Sequence, residues 1–353
     1  MVPIHVSREI DFDAVVQEIA GGYISERKHP DADLRIYNYT PRAQYERRWN
    51  AATMNCRGLV VGSNRQIIAR PFQKFFNYDE LDGQAPVEPF EVYAKVDGCL
   101  AILYWIGNEP YLTTRGSFTS EQAAEANRIF RQRGYDKLNF YKGWTYLFEL
   151  ISPKFRIVVD YGDMEDLILL AILDTRTGKD IPIVPHAGPI PTVEKYDFTD
   201  IDSILATQKD DEEGFVIRFE SGLRCKIKFE EYKRLHKILT QVSTKSIWES
   251  LRDGKPLDEI LERVPDEFFS WVRETKRGLE LKYADMEAAA RVIFDQRPAT
   301  DDRGDVARYF LGTKFPQPSV LFNMLDGKDY APTIWKSLRP KFEKPFRMDI
   351  DDA

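Results

Sequence analysis

The sequence lacks the features that would assign it to several common protein classes. It has three cysteines (Cys56, Cys99 and Cys225), an odd number without the paired spacing of zinc ligands, so we expect neither a disulfide framework nor a zinc site. Its apolar runs are shorter than a membrane span, and its first residues lack the basic-then-apolar order of a secretory signal. These absences predict a cytoplasmic protein that does not act at a membrane.

The charge balance excludes a broad basic surface. The 353 residues include 50 lysines and arginines against 57 aspartates and glutamates, which gives a net charge of −7. A binding site for a polyanion must therefore be a local cluster of basic residues. The length suggests two domains more readily than one.

Strand patterns fill the first two thirds of the chain, and helical patterns follow them. Strands are predicted at residues 34–39, 56–61, 66–71, 90–94, 101–106, 111–114, 146–152, 167–173, 214–219 and 225–228, with a helix at 120–132. After Phe229 the apolar spacing becomes helical, which predicts helices near 247–252, 257–264, 266–295, 305–311, 319–325 and 331–338. We therefore predict an α+β domain over residues 1–240 and a helical domain over 241–353.

The segment Lys95-Val96-Asp97-Gly98 lies between two predicted strands. A lysine two residues before Asp-Gly places an amine beside a turn with room for a ligand, so Lys95 is a candidate covalent nucleophile. Such a string occurs by chance in about one chain of this length in ten. Taken alone, it is equally compatible with a hairpin that carries an exposed lysine.

Two carboxylates are candidates for inward-facing positions. Glu149 lies within an apolar strand, where burial of its charge requires a partner, a metal or a ligand hydroxyl. Simple alternation of strand faces is the other interpretation. Glu213 ends an acidic run and adjoins Gly214 and the next strand, so it alone of that run is placed to reach inward.

Lys226 and Lys228 are two residues apart in a predicted strand and share one face. Their repulsion is tolerable if a polyphosphate lies between them. The alternative is a solvated edge strand, where lysines are common.

Together these segments resemble the T4 RNA ligase 1 family of ATP-dependent RNA ligases, within the covalent nucleotidyltransferase superfamily. Two segments resemble those that the family has upstream of the nucleophile, namely Cys56–Gly58 and Arg70–Asn77, and Lys95–Gly98 is similar to motif I. The further matches, in chain order, are Arg115-Gly116 with motif Ia, Phe148–Pro153 with motif III, Leu167–Leu173 with motif IIIa, Glu213–Val216 with motif IV, and Lys226–Lys228 with motif V. There are two departures: Cys99 replaces a common serine, and Arg115 a common lysine.

The resemblance implies the fold and the chemistry. The fold would be α+β: a nucleotidyltransferase domain, similar to ATP-grasp ligases, of antiparallel sheets with helices, then an all-α domain that helps select RNA. Lys95 would take AMP from ATP, with Mg²⁺ (or Mn²⁺) held by Glu213. We expect the surrounding cations to favour its neutral amine. The residues expected to bind ATP are Arg57, Lys74, Asp97, Gly98, Arg115, Glu149, Leu170, Val216, Lys226 and Lys228.

The implied reaction joins a 5′-phosphate to a 3′-hydroxyl of RNA, as in the repair of a broken tRNA. The sequence has no phosphate-loop kinase motif, so a separate kinase and phosphatase would prepare the RNA ends. DNA ligases and capping enzymes share motif I, but a small β-barrel normally follows their motif V, whereas helices are predicted here. A non-catalytic nucleotide- or RNA-binding relative is the alternative from another class.

Overall fold

The computed structural model describes residues 3, 7–183, 188–257 and 266–343. The chain divides into two compact units, one within residues 1–234 and the other within residues 235–345. Across the described ranges, no helix has the length and apolar character needed to cross a membrane.

Fourteen strands are present in the described residues. They are β1 Ile24–Lys28, β2 Leu34–Tyr39, β3 Arg57–Gly62, β4 Ile67–Ala69, β5 Phe76–Asn77, β6 Phe90–Ala94, β7 Cys99–Ile106, β8 Glu109–Thr113, β9 Trp144–Ile151, β10 Asp166–Asp174, β11 Asp180–Ile181, β12 Lys195–Tyr196, β13 Gly214–Phe219 and β14 Arg224–Lys228.

Eleven α-helices accompany them in the same ranges. They are α1 Phe12–Ala20, α2 Pro41–Tyr45, α3 Ala51–Asn55, α4 Glu121–Gln132, α5 Ile201–Ala206, α6 Glu230–Gln241, α7 Thr244–Arg252, α8 Asp266–Asp295, α9 Arg303–Gly312, α10 Pro318–Leu325 and α11 Ala331–Ser337.

The strands form three sheets in the first unit. Sheet A has the order β1-β2-β3-β4, sheet B the order β12-β6-β13-β14-β5, and sheet C the order β11-β10-β9-β7-β8. Neighbouring strands pair antiparallel, except that β14 and β5 run parallel. The predicted α+β fold, with antiparallel sheets and a helical C-terminal part, is confirmed.

Strand β9 shows how the three sheets meet. Its residues Phe148 and Leu150 pack into a core cluster with helix α4. On the opposite face, Leu147 packs with residues of sheet A, and Ile151 packs with residues of sheet B. Because strand side chains alternate between faces, Glu149 lies on that second face between these two apolar contacts. The fold therefore places one carboxylate where the sheets converge.

The second unit is helical and has its own core. Phe310, Val320, Leu321 and Ile334 are fully buried in it. Helix α8 matches the predicted long helix at both ends, because its apolar residues recur at helical spacing. The helix predicted at 257–264 lies outside the described residues from its second residue onward, as do the last ten residues of the predicted 241–353 domain.

Candidate active site

Lys95 directly follows strand β6 and remains tied to sheet B. Its backbone N–H donates to the Gly214 carbonyl at 2.9 Å. The loop then turns back against β9, where a Cβ on Gly98 would lie 2.4 Å from the Leu150 carbonyl oxygen. Only glycine permits so close an approach, so Gly98 fixes the path of the loop. This contact explains the glycine in the Lys95–Gly98 segment.

Glu213 joins two of the predicted site lysines. One carboxylate oxygen lies 2.6 Å from Lys95 Nζ, and the other lies 2.8 Å from Lys228 Nζ. The Glu213 side chain is 2% exposed, whereas each lysine is 21% exposed. The acidic residue therefore reaches inward, as the sequence predicts, and holds the candidate nucleophile beside a second cation.

The pairing of β13 with β14 places the basic residues on one face. Gly214 pairs with Lys228, and Val216 pairs with Lys226. Residues two apart in a strand share a face, so both lysines point the same way, as predicted. Lys226 is half-buried in β14.

The electrostatics of Lys95 differ from the expectation. Burial alone would lower its pKa, but Glu213 and Glu149 outweigh burial and hold the pKa above its ordinary value. The prediction that neighbouring cations favour the neutral amine is therefore wrong, because these two carboxylates set the direction of the shift. Burial and the charges of Lys95, Lys74 and Lys228 lower the pKa of Lys226 instead. Glu213 and Glu149 lie close enough to Lys95 for their charges to determine the direction of its pKa shift.

Glu149 is 9% exposed, in keeping with the sequence. Burial, together with the charges of Glu213 and Asp97, raises its pKa to about 8, although Lys95 and Arg57 act in the opposite direction. A group with this pKa readily exchanges a proton near neutral pH. Its position on the inner face of β9 makes it available to a ligand hydroxyl.

The Asp97 carboxylate is held by the protein itself. Oδ2 accepts hydrogen bonds from the backbone N–H groups of Val158 and Val159, both at 2.8 Å. Oδ1 accepts a hydrogen bond from the Tyr232 hydroxyl at 2.7 Å. Burial and Glu213 nevertheless raise the pKa of Asp97. These bonds fix the loop after Lys95, and a direct contact of Asp97 with nucleotide stays a prediction.

Three predicted cations converge on one tyrosine. Arg115 Nη1 donates to the Tyr39 hydroxyl at 3.2 Å, and Lys74 Nζ lies 5.8 Å from the centre of the Tyr39 ring. Burial would raise the pKa of Tyr39, but Arg115, Lys74 and Arg57 together hold it below its ordinary value. Arg57 Nη1 is buried without a hydrogen-bond partner. The cluster is therefore cationic and suited to a polyphosphate.

The two predicted adenine contacts lie in different sheets. Leu170 is in strand β10 and packs against the apolar cluster between sheets B and C. Val216 is half-buried in β13 and pairs with Tyr93 of β6. Both are placed among the site strands, and their contact with adenine stays a prediction.

Several site residues were missed in the sequence. Tyr232 lies after the last predicted strand, and its position four residues after Lys228 is the one signal that could have indicated a partner for the site. The Tyr161 hydroxyl oxygen accepts a hydrogen bond from the backbone N–H of Asp97 at 2.9 Å. Tyr39 gave no sequence signal, because it ends a strand of ordinary composition in which polar and apolar residues are mixed.

Among the described residues, no group of three or more histidine, cysteine, aspartate or glutamate side chains could hold a metal ion by itself. A single carboxylate such as Glu213 fits Mg²⁺ when phosphates and water complete the coordination. The donor set therefore suits an ion that arrives with a nucleotide.

A half-buried lysine paired with a carboxylate, with further cations aligned on one sheet, defines a candidate site for covalent nucleotidyl transfer. The family model described as RNA ligase, of the T4 RNA ligase 1 type, matches residues 55–233. This match covers half of the chain, so the chain belongs to that RNA ligase family.

The individual relatives share only about a quarter of their aligned residues with this chain. The chain is 27% identical over 271 residues to a protein of Autographa californica nuclear polyhedrosis virus named as a bifunctional polynucleotide kinase/RNA ligase, over 66% of this chain and 38% of the viral protein. It is 26% identical over 296 residues to a protein of Thermovibrio ammonificans named as an RNA ligase, over 75% and 72% of the two chains.

Among solved structures, an archaeal ATP-dependent RNA ligase aligns with a TM-score of 0.45 at 14% identity, over 91% of this chain and 97% of that chain. The family match, rather than this distant likeness, assigns the chain. The chain spans well under half the length of its viral relative.

Proposed function

We propose that the protein is an ATP-dependent RNA ligase that joins a 5′-phosphate to a 3′-hydroxyl through a lysyl-AMP intermediate. The observation that carries this proposal is the placement of Lys95 Nζ 2.6 Å from Glu213, beside Lys228 and close to Glu149. The family membership supports the choice of RNA as substrate.

In the first step the Lys95 amine attacks the α-phosphorus of ATP. A P–N bond forms, the bond from that phosphorus to the bridging oxygen breaks, and pyrophosphate leaves with the bonding electrons. The amine must lose a proton before or during attack, so its ion pair with Glu213 has to weaken when the nucleotide binds. Lys226 and Lys228 would neutralise the α-phosphate, and Arg57 with Lys74 and Arg115 would bind the outgoing pyrophosphate.

The remaining site residues would orient the nucleotide. Glu149 would accept hydrogen bonds from the ribose, and Leu170 and Val216 would pack against the two faces of adenine. Asp97 and Gly98 would hold the loop that presents the nucleophile. A divalent ion, Mg²⁺ with Mn²⁺ as a substitute, would be held by Glu213 and would neutralise phosphate charge when bound.

Two further transfers complete the reaction. AMP passes from Lys95 to the 5′-phosphate of RNA, which breaks the P–N bond and forms a phosphoanhydride. A 3′-hydroxyl then attacks the activated 5′-phosphate, and AMP leaves. We propose a nicked tRNA as one natural substrate, the cytoplasm as the location, and the helical part (241–353 in the proposed division) as the RNA-specificity module. The viral relative's name combines a polynucleotide kinase with an RNA ligase, which supports a need for end healing; we propose that a separate kinase and phosphatase supply it here.

The test is intact mass after incubation with ATP and Mg²⁺. We expect a gain of one AMP in the wild type and none in Lys95→Ala. Lys209→Ala is the matched control, because Lys209 also pairs with a glutamate, Glu212, at 2.7 Å but lies outside the site. A sample that arrives already adenylylated would lose AMP with pyrophosphate. Wild-type protein without either gain or loss would contradict the proposal and favour a non-catalytic binding relative.

Substrate choice needs a second experiment. The adenylylated protein is offered 5′-phosphorylated RNA, the matching nicked DNA, or RNA with a 5′-diphosphate. Sealing of RNA is expected. Sealing of DNA alone, or transfer to the diphosphate end, would assign the protein to the DNA ligases or the capping enzymes instead.

A further inference from the structure

Trp49 lies against the predicted pyrophosphate-binding lysine, although it precedes the region that the family model matches. Lys74 Nζ is 5.4 Å from the centre of the Trp49 ring and 5.3 Å from the centre of the Phe76 ring. The Trp49 ring meets Tyr39 edge-on at 5.1 Å and Phe76 at 5.6 Å. Three aromatic rings therefore surround this ammonium group.

The Lys74 ammonium is surrounded by these rings, and burial lowers its pKa while Tyr39 and Glu80 oppose that effect. Among the described residues, no carboxylate lies within 4 Å of its ammonium. Aromatic faces attract a cation without neutralising it, whereas a carboxylate partner would have to be displaced by an incoming phosphate. Lys95 and Lys228 are held differently, because both are paired with Glu213. Lys74 is therefore prepared to receive an anion.

The segment that presents Trp49 is anchored on both sides. Glu18, which is 7% exposed, accepts hydrogen bonds from Arg48 Nη2 at 3.1 Å and from Asn50 Nδ2 at 2.7 Å. Thr53 Oγ1 donates to the Arg48 carbonyl at 2.7 Å and accepts from the Asn50 backbone N–H at 3.0 Å. With both neighbours fixed, Trp49 is held in place at the cluster of cations.

We infer that Trp49 is a positioning residue for adenylylation: its ring holds Lys74 where that lysine binds the β- and γ-phosphates of ATP and the departing pyrophosphate. This inference rests on the proposed function. Trp49 acts through Lys74, so its influence is confined to steps in which pyrophosphate takes part. Sealing of RNA that already carries 5′-AMP involves no pyrophosphate and should not depend on it.

The test compares Trp49→Leu with Trp49→Phe in two assays. For Trp49→Leu we expect the KM for ATP in adenylylation to rise about tenfold, because a desolvated cation–π contact contributes a free energy of that scale. We expect the pyrophosphate concentration that discharges half of the lysyl-AMP to rise by about the same factor. Its sealing of pre-adenylylated RNA should remain within about twofold of the wild type, since a cation–π contact that the step does not use contributes nothing to it. Trp49→Phe keeps an aromatic face and should restore most of the loss.

The matched control is Trp105→Leu. Lys142 Nζ lies 5.1 Å from the Trp105 ring, so this variant removes an equivalent contact elsewhere in the unit. Trp105→Leu should leave unchanged both the KM for ATP and the pyrophosphate concentration that discharges half of the lysyl-AMP. In a Lys74→Ala background, Trp49→Leu should add no further loss if the two residues act as one pair.

Three outcomes would overturn the inference: unchanged constants in Trp49→Leu, equal loss in both assays, or full additivity with Lys74→Ala. Should Trp49→Leu fail to fold, Glu18→Gln tests the same arrangement with the Trp49 ring intact. Glu18→Gln should raise the KM for ATP by a smaller factor than Trp49→Leu. An unchanged KM for ATP in folded Glu18→Gln would then contradict the inference about Trp49. Wild-type protein that forms no lysyl-AMP would instead overturn the proposed function itself.

Discussion

The Tyr232 hydroxyl donates a hydrogen bond of 2.7 Å to Asp97, two residues after the candidate nucleophile. Tyr232 lies in helix α6, which follows the last strand of sheet B, and its ring also lies 4.8 Å from Lys228 Nζ. One side chain thus connects the loop after Lys95 with the strand that carries the basic residues.

Removal of this hydroxyl should loosen the nucleophile loop. For Tyr232→Phe we expect a loss of about 1–3 kcal/mol in the free energy of unfolding, because the buried Asp97 carboxylate loses a donor. Adenylylation should slow at least tenfold. Tyr135→Phe is the matched control, since Tyr135 donates to Asp166 at 3.0 Å away from the site. It should lose similar stability in denaturant unfolding and keep its adenylylation rate; equal rate loss in both variants would contradict the role.

Gly98→Ala should be the most damaging small substitution in the loop. The added Cβ would lie 2.4 Å from the Leu150 carbonyl, and neither backbone can yield easily. We expect a destabilisation of about 1–3 kcal/mol and a loss of lysyl-AMP formation measured by intact mass. The comparison is Gly278→Ala in helix α8, where nothing lies within 4 Å of the new Cβ. That change should stabilise its unit by about 0.5–1 kcal/mol.

Glu149→Gln should separate stability from activity. The pKa of Glu149 is raised from 4.5 to about 8, so the wild-type protein loses stability as the pH rises through that window. Glutamine does not titrate, so the free energy of unfolding of the variant should exceed that of the wild type by on the order of 2 kcal/mol at pH 8. At pH 4 the two free energies should differ little. Adenylylation should fall sharply. If the difference in unfolding free energy between Glu149→Gln and the wild type were constant from pH 4 to pH 8, it would contradict the raised pKa of Glu149.

Glu91→Gln should show the opposite dependence on pH. Burial alone would raise the pKa of Glu91, but Lys195, Tyr93 and Arg218 lower it to about 2. Its ion pairs therefore contribute stability above pH 4.5 that is lost as the pH falls toward 2. Because the pairs are partly solvated, we expect the variant to be less stable by about 1 kcal/mol at pH 7. The two proteins should converge in unfolding experiments near pH 2, and adenylylation should be unaffected.

The local patterns of the sequence were sufficient for most strands and for the pair Lys226 and Lys228. Strands β2, β6 and β13 lie where alternation or continuous apolar residues predict them. The strand period of two fixes that both lysines share a face, whatever the rest of the fold does. Glu213 was predictable for a similar reason, because its charge directly precedes a buried strand.

The short elements at the N-terminus were not predictable in the same way. Strand β1 carries exposed polar residues at most of its positions, and helices α2 and α3 have five residues each. Their formation depends on pairing with β2 and on packing against sheet A, which local propensity does not encode. Trp49 and Tyr39 belong to this region, so their proximity to Lys74 was invisible in the sequence.

The sequence by itself determined the chemical groups of the site and their order along the chain, because motif spacing and strand period are local properties. The tertiary structure decided which groups meet. Lys95 could have been surrounded by cations or by carboxylates, and the convergence of β6, β9 and β13 placed Glu213 and Glu149 beside it. Net charge around a half-buried amine depends on distances between strands far apart in sequence, and those distances are set only when the sheets pack.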